Sequence, residues 1–348
     1  MANYWARKGW HVTLITLDDG RTPSFYALDQ RIRLFPLGTV RSSTHMGAAL
    51  QNNVLTLVRL RHAIVQSAPD VVISFMHRTN IRTLLATRGL PTPAVVSDRS
   101  AALEESQKLW KFLQRWSYRW ADLLVVQSRA YVQQHPPAVQ RHTVVIPNPV
   151  LIYTEQPAVG DEAASPFSPP LLITLGRLSK VKGFDRLLQA FARIAAHHPT
   201  WSLVIWGEGD ERANLEALRH SLGLDERVHM PGLTTNPLQK LRQADMFVLS
   251  SHTEGFPMAL CEAMACGLPV VSFDCPSGPR DIIRDGVDGV LVPHLDVDAL
   301  AAALDRLMQD EQERKRLAAR APEVLERFGL EKTMNLWEEH LARVCHRG

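Results

Sequence analysis

Short apolar runs alternate with helix-periodic stretches along the whole of this 348-residue chain, and that alternation is its tightest constraint. Runs such as Leu171–Leu175, Met246–Leu249 and Val270–Phe273 are apolar at nearly every position, as strands covered on both faces are. Strands separated by helices need crossover connections, and crossovers make a parallel sheet. Strands are expected at Val12–Leu17, Ile32–Leu37, Val71–Phe75, Ala94–Ser97, Leu123–Gln127 and Val144–Ile146. Six more are expected at Leu171–Leu175, Leu203–Trp206, Val228–Met230, Met246–Leu249, Val270–Phe273 and Val290–Val292. Helices are expected near 47–67, 79–88, 102–120 and 129–134, then 184–197, 210–222, 236–243, 257–266, 278–284, 296–309 and 311–320. The predicted fold class is α/β.

So long a chain exceeds one ordinary core, so two domains are expected. Between Val150 and Pro170 the periodicity lapses into Pro, Ala and acidic residues, which reads as a connection. The expected division is 1–150, a linker at 151–169, a second domain at 170–330, and a C-terminal helix at 331–348 packing back toward the first domain. The tail from Pro322 to Val344 reads as helical and amphipathic, with Leu325, Phe328, Leu336, Trp337 and Leu341 needing a surface to cover. Residues 2–8 read as a helix closed by Gly9. A doubly wound sheet normally opens on a strand and a tight Gly-rich turn, so both are expected to be missing from the front of this chain.

Residues 1–150 hold 18 Lys and Arg against 8 Asp and Glu, whereas the remainder holds 21 against 28. The basic half fits either an anionic partner, such as phosphates or an acidic membrane face, or an ordinary basic surface. No apolar run approaches the ~20 residues of a membrane span, and the start lacks an apolar core of signal-peptide length. A cytoplasmic protein is expected, either free or peripheral on the inner face of a membrane, with no nucleic-acid partner. Four cysteines lack CxxC spacing, and three of them read as small buried residues of a reducing compartment, with metal binding as the remote option.

Ligands of such sheets lie beyond the carboxyl ends of the strands. After Leu175 come Gly176, Arg177 and, further on, Lys182, in a loop that runs into a helix start. Two cations beside free N–H groups suit a diphosphate, and a basic surface loop is the plain alternative. Gly207-Glu208-Gly209-Asp210 lacks the GxGxxG spacing of nicotinamide sites and reads as a tight turn with an acidic cap. Pro231-Gly232-Leu233 reads as a loop whose backbone groups could meet a flat base. Met246–Leu249 breaks at Ser250-Ser251-His252-Thr253, and a helix is expected to start at Pro257, where a missing N–H costs nothing. Glu254 precedes that helix. Glu262 lies inside it, among Met258, Ala259, Leu260, Cys261, Ala263, Met264 and Ala265. A lone carboxylate there either faces solvent or holds a partner.

Taken together, these segments closely resemble the retaining glycosyltransferase family 4: Gly176-Arg177-Leu178 with Lys182-Gly183, Gly207-Glu208-Gly209, Ser251 with Glu254-Gly255-Phe256-Pro257, Glu262 through Val271, and Gly286-Val287-Asp288-Gly289. The resemblance implies the GT-B fold, two Rossmann-like domains facing a central cleft. It implies a nucleotide-sugar donor, most often a UDP-sugar, and transfer to a glycan or lipid-linked acceptor in surface-polysaccharide assembly, without metal or other cofactor. Arg177 and Lys182 would neutralise the diphosphate. Glu254 and the backbone from Gly255 through Phe256 and Pro257 to Met258 would hold sugar hydroxyls and phosphates, beside Gly176 and Gly232. Glu262 would accept the ribose hydroxyls. Two carboxylates near a helix start suggest an acid–base pair; beside Arg177 and Lys182 they read better as a donor clamp. A non-catalytic sugar-nucleotide-binding protein and a nucleotide-sugar epimerase of the same fold are the alternatives.

The first domain would then meet the acceptor. His77, directly after the strand at Val71–Phe75, is the candidate catalytic group there, against a purely structural histidine; Asp98 and Arg99 are further acceptor-side candidates. The segment 108–120 mixes aromatics with cations. Its apolar face of Leu109, Leu113, Trp116 and Trp120 either packs on the sheet or docks on an anionic bilayer.

Overall fold

A computed structural model describes residues 1–22, 24, 27–39, 46–99, 108–151 and 167–346. Most of the expected linker, 152–166, lies outside the described residues, as do positions 102–107 of the helix expected at 102–120. Two compact units emerge. One comprises Met1–Val126, Val132–Ile146 and Met334–Gly348, and the other Gln127–Tyr131 and Pro147–Thr333.

The chain opens with α1 (Ala2–Arg7), β1 (Thr13–Thr16), β2 (Arg33–Pro36) and α2 (Met46–Ser67). It continues with β3 (Val72–Phe75), α3 (His77–Ala86), β4 (Ala94–Asp98) and α4 (Lys108–Ser117), the last extended by a 3₁₀ turn at Tyr118–Trp120. β5 (Leu123–Val126), α5 (Arg129–Gln133), α6 (Pro137–Gln140) and β6 (Thr143–Val145) complete this half. β1 and β2 pair in parallel, and β3-β4-β5-β6 form a parallel sheet in that order. No helix was expected at α6; Pro137 at its first position fixes φ for a single turn.

The second unit runs β7 (Leu171–Leu175), α7 (Phe184–Ile194), β8 (Ser202–Trp206), α8 (Arg212–Ser221), β9 (Val228–Gly232) and α9 (Pro237–Arg242). Then come β10 (Met246–Leu249), α10 (Met258–Ala265), β11 (Val270–Phe273), α11 (Pro279–Ile282) and β12 (Val290–Val292). α12 (Val297–Gln309), α13 (Glu311–Arg320), α14 (Val324–Phe328) and α15 (Leu330–Cys345) end the chain. The sheet is parallel with order β12-β11-β10-β7-β8-β9. The chain therefore leaves β7 in one direction and returns to its other side at β10, the switch point where such sheets bind ligands. The continuous apolar runs have a simple cause: on β10, Met246 and Val248 join the core under α7 and α12, whereas Phe247 and Leu249 join the core under α9 and α10.

Several expectations need correction. Pro231 and Gly232 belong to β9, and the Gly232 carbonyl accepts the Gly207 N–H at 2.8 Å, so they form no free loop. Asp210 caps nothing: the residue before α8 is Glu211, whose side chain bonds Asn214 instead. Pro257 stands just outside α10 as its N-cap residue. The helix expected at 278–284 shrinks to four residues, because Gly278 takes φ +95° and the Arg284 N–H is held by Asp288 at 2.7 Å. The tail is not one helix. Gly329 is extended between α14 and α15 and bridges Val150.

α15 is last in sequence, yet from Met334 onward it belongs to the first unit. Trp337, 1% exposed, meets Trp5 edge-on at 6.4 Å, and Glu338 pairs with Lys8 at 2.7 Å.

Candidate active site

The switch point of the second sheet is built from glycines where backbones nearly touch. Gly207, at φ +148°, lies so close to the turn after β7 that a Cβ would sit 1.8 Å from the Gly176 carbonyl oxygen. Only a residue without a side chain fits there. The Gly176 N–H bonds the Trp206 carbonyl at 3.0 Å and the Leu178 N–H the Glu208 carbonyl at 2.9 Å. After Leu178 a 3₁₀ turn, Lys180–Lys182, leads to left-handed Gly183 (φ +61°) and α7. The loop after β10 holds this turn. The Ser250 hydroxyl donates to the Lys182 carbonyl at 2.9 Å, and the His252 N–H to the Val181 carbonyl at 2.8 Å.

That clasp brings together residues 72 positions apart. Lys182 Nζ donates to Glu254 Oε1 at 2.7 Å, and the Ser251 hydroxyl donates to the same oxygen at 2.6 Å. Glu254 is buried, and these two donors satisfy its oxygen there. The Ser277 hydroxyl fixes the Glu254 carbonyl. Ser251 and Ser277 are functional supports that sequence reasoning left unassigned; Ser251 stands within the quoted motif, but nothing local shows which carboxylate it holds.

From Glu254 the chain passes Gly255 and enters α10. Phe256 is buried edge-on against Phe328 at 5.3 Å, so only its backbone is offered to a ligand. Pro257 is buried too, near enough to Gly278 that a Cβ there would lie 2.8 Å away. Among the described residues, nothing caps the first N–H groups of α10, those of Met258, Ala259 and Leu260. A helix start of this kind attracts anions. Further along, Leu260, Cys261, Ala263 and Met264 enter the core, leaving Glu262 half-buried. Its carboxylate has no hydrogen bond or ion pair among the described residues, and burial pushes its pKa up. Arg177 is exposed in the loop after β7, and its side chain likewise has no partner among the described residues. Gly232 at the end of β9 takes φ +99°, and a Cβ there would stand 3.1 Å from Glu208 Oε1.

In the first unit, His77 follows the carboxyl end of β3, Asp98 is the last residue of the neighbouring strand β4, and Arg99 comes directly after it. Met76 takes φ +71° ahead of α3, and its N–H bonds the Ser97 carbonyl at 3.2 Å. His77 stands edge-on to Trp110 at 6.4 Å, and burial together with Arg78 lowers its pKa, which favours a neutral imidazole. Asp98 is buried and accepts from Gln114 at 2.5 Å and from the Tyr118 hydroxyl at 3.3 Å. Asn80 joins this network through Ser74 at 2.9 Å and Tyr118 at 3.0 Å. Arg99 lies over the Phe75 ring at 4.5 Å, with its pKa brought down to about 10 by burial. The candidate residues thus divide between the units: Gly176, Arg177, Lys182, Gly232, Glu254–Met258 and Glu262 lie in the second, where Lys182 and Glu254 meet directly, and His77, Asp98 and Arg99 lie in the first.

Comparison with known proteins follows the same division. Residues 161–324 match the family described as glycosyl transferases group 1, and residues 1–149 match the glycosyl transferase 4-like domain. Over 341 residues the chain is 30% identical to the GalNAc-alpha-(1->4)-GalNAc-alpha-(1->3)-diNAcBac-PP-undecaprenol alpha-1,4-N-acetyl-D-galactosaminyltransferase of Campylobacter jejuni, covering 97% of this chain and 91% of that one. It is 38% identical over 172 residues to an exopolysaccharide phosphotransferase of Streptomyces coelicolor, covering 49% of this chain and spanning only 18% of that protein's length. Among solved structures, Anabaena HepE in complex with UDP-glucose superimposes with a TM-score of 0.74 at 19% identity, covering 96% of this chain and 100% of that one. On this evidence the chain belongs to the family 4, group 1 glycosyltransferases and has their GT-B fold.

Proposed function

We propose that the chain moves a sugar from a UDP-sugar to a glycan or lipid-linked acceptor in surface-glycan assembly, with retention at the anomeric carbon. The observation that carries this reading is the contact of Lys182 with Glu254 just ahead of α10, a helix whose start and whose Glu262 have no partner among the described residues. Arg177, Lys182 and the α10 N–H groups would meet the diphosphate, whose charge grows as it leaves. Glu262 would accept both ribose hydroxyls. That role accounts for a half-buried carboxylate, because the nucleotide supplies the donors that the protein does not. Glu254, held by Ser251 and Lys182, would take a sugar hydroxyl.

In the transfer itself the bond from the anomeric carbon to the diphosphate oxygen breaks and the bond to the acceptor oxygen forms on the same face. The acceptor proton passes to an oxygen of the leaving phosphate. His77, kept neutral, would orient the acceptor or the donor sugar. The cations Arg177 and Lys182 supply the charge that a metal would otherwise bring, so turnover should persist in EDTA. A lipid-linked acceptor fits the undecaprenol-linked substrate in the name of the Campylobacter relative. It would also place the chain at the inner face of a membrane. The test is a screen of UDP-sugars with polyprenyl-diphosphate glycans, read by released UDP and by the anomeric configuration of the product. Release of another nucleotide would overturn the base assignment, and an inverted product would overturn retention.

A further inference from the structure

The loop after β10 makes a further contact with the Lys182 turn, through side chains outside the donor cluster. The His252 N–H bonds the Val181 carbonyl at 2.8 Å, and the His252 ring lies against the turn, where a Cβ on Gly183 would stand 3.0 Å from its Cδ2. Ring Nε2 is 2.6 Å from Nη1 of Arg186, in the first turn of α7. A guanidinium only donates, so the imidazole accepts there and carries its proton on Nδ1. From the far side, the His294 Nε2–H donates to the His252 carbonyl at 2.8 Å. His252 is thus held through its N–H, its carbonyl and its ring, one residue from Ser251 and two from Glu254.

This hold depends on the charge of the ring. Among the described residues, the groups that face it are Arg186 and Asp185 on α7 and His294 after β12, with Lys180 and Glu211 lining the same small cavity. Asp185 stands 3.6 Å from Arg186 and is partly exposed, so it balances only part of the guanidinium charge. Protonation of His252 would set two cations at hydrogen-bond distance and remove the lone pair that accepts, so the contact would open. Burial and Arg186 lower the His252 pKa, which keeps the ring neutral at neutral pH. His294 donates to a carbonyl whether neutral or charged, so its own titration leaves its bond in place.

The consequence reaches Lys182. Val181, held by the His252 N–H, is its neighbour in the chain, and the Lys182 carbonyl is held from the same loop by Ser250. We propose that His252 and Arg186 are the positioning pair that keeps the Lys182 turn against Glu254, and that the pair holds only while the His252 ring is neutral. Both residues act through the turn, without touching the donor. Given the donor reading of Lys182 and Glu254, on which this rests, UDP binding acquires an acid limit. As pH falls through the His252 pKa, the ring loses its lone pair, the turn loosens and UDP is held less tightly.

The experiment is calorimetric titration of the whole chain with UDP between about pH 8 and about pH 5, beside His252→Gln, His252→Leu and Arg186→Leu. Glutamine can accept from Arg186 through Oε1 and does not titrate, so it is the conservative rescue. At about pH 8, His252→Gln should bind UDP within about twofold of the unaltered chain, and both leucine variants about tenfold more weakly. In acid the unaltered chain should lose affinity relative to His252→Gln, with its midpoint at the His252 pKa read from the ring NMR signal that the glutamine variant lacks. Comparing the two at each pH cancels the titration of the diphosphate itself. Equal pH profiles for these two chains, or leucine variants that bind like the unaltered chain, would overturn the proposal. So would weak binding in Arg186→Leu with none in His252→Leu, which would put Arg186 on the diphosphate directly. A chain that binds UDP at no pH removes the donor reading, and hydrogen exchange at the His252 amide then decides the pair. Protection lowered at least about tenfold in Arg186→Leu supports it, and unchanged protection overturns it.

Discussion

Glu262 sits on a helix whose other side chains are small or apolar, and burial has raised its pKa with no partner for it among the described residues. For a carboxyl whose folded pKa is raised, the folded state is favoured at low pH and loses stability as pH rises through that folded pKa. Glu262→Gln should therefore raise the melting temperature at pH 7, and the gain should vanish below about pH 4, where the unfolded carboxyl is also protonated. The same change should weaken UDP binding by roughly 10- to 100-fold, as charge-assisted bonds to two hydroxyls are lost. Calorimetric titration with UDP checks the second effect and thermal melts the first. Lys182 calls for a double substitution. Lys182→Ala leaves the buried Glu254 carboxylate with Ser251 alone, so both stability and turnover should fall, turnover by about 10²–10³-fold. Adding Glu254→Gln removes the stranded charge. Melting temperature should then recover while turnover does not; recovery of turnover would make the pair merely structural.

At the scale of elements, the turn between β7 and α7 depends on its neighbour after β10. Gly183 and Gly223 both take left-handed φ, +61° and +67°. A Cβ on Gly183 would lie 2.2 Å from the Ser250 carbonyl oxygen, whereas around Gly223 nothing stands within 4 Å. Gly223→Ala should cost about 1 kcal/mol from backbone strain alone and leave turnover intact. Gly183→Ala should cost more and lower turnover, since the turn that carries Lys182 must move; urea denaturation beside steady-state kinetics reads both. The strands of the second sheet were legible because burial on both faces leaves only apolar residues in them. The Leu171–Leu175, Met246–Leu249, Val270–Phe273 and Val290–Val292 runs match β7, β10, β11 and β12 at both ends. Pro231-Gly232 misled because turn residues also close a strand when its last carbonyl is paired, here to Gly207. The tail misled because its apolar periodicity runs on through a glycine that the structure uses as a break.

At the scale of the molecule, the two ends of the chain share one unit. Trp5, Trp10, Phe75 and Trp337 form a cluster with ring separations of 5.4, 6.4 and 6.3 Å, and Lys8 meets Glu338. Trp337→Ala should destabilise the first unit by about 3–5 kcal/mol, as large-to-small changes at buried aromatics do. Lys8→Ala should change stability far less, because Lys8 is exposed and its ion pair is screened by solvent. Tryptophan fluorescence during urea unfolding distinguishes the two. In the second unit, fully buried Asp288 binds Arg284 at 2.7 Å and Arg327 at 2.8 Å, and Arg284 reaches Glu323 at 2.7 Å. This knot anchors the segment whose Phe328 backs Phe256, just ahead of α10. Gly286-Val287-Asp288-Gly289 thus supports the site from behind.

The sequence by itself determined the α/β class, the strands of the second sheet, the family, and the residue types gathered after its strands. Those features are local: a period, a run of apolar residues, an ordered set of short motifs. Only the tertiary structure decided that Lys182 rests on Glu254, that Glu262 is half-buried, and which face of α4 remains outside. Each of these depends on which side of a strand or helix meets which neighbour across tens of residues. Glu254 and Lys182 are distant in the chain and adjacent in space because β7 and β10 are neighbours at the switch point. Of the face that reads as a core face in sequence, Leu109 and Trp116 stand exposed while Leu113 and Trp120 are partly buried, and Gln114 and Tyr118 make the contacts to Asp98.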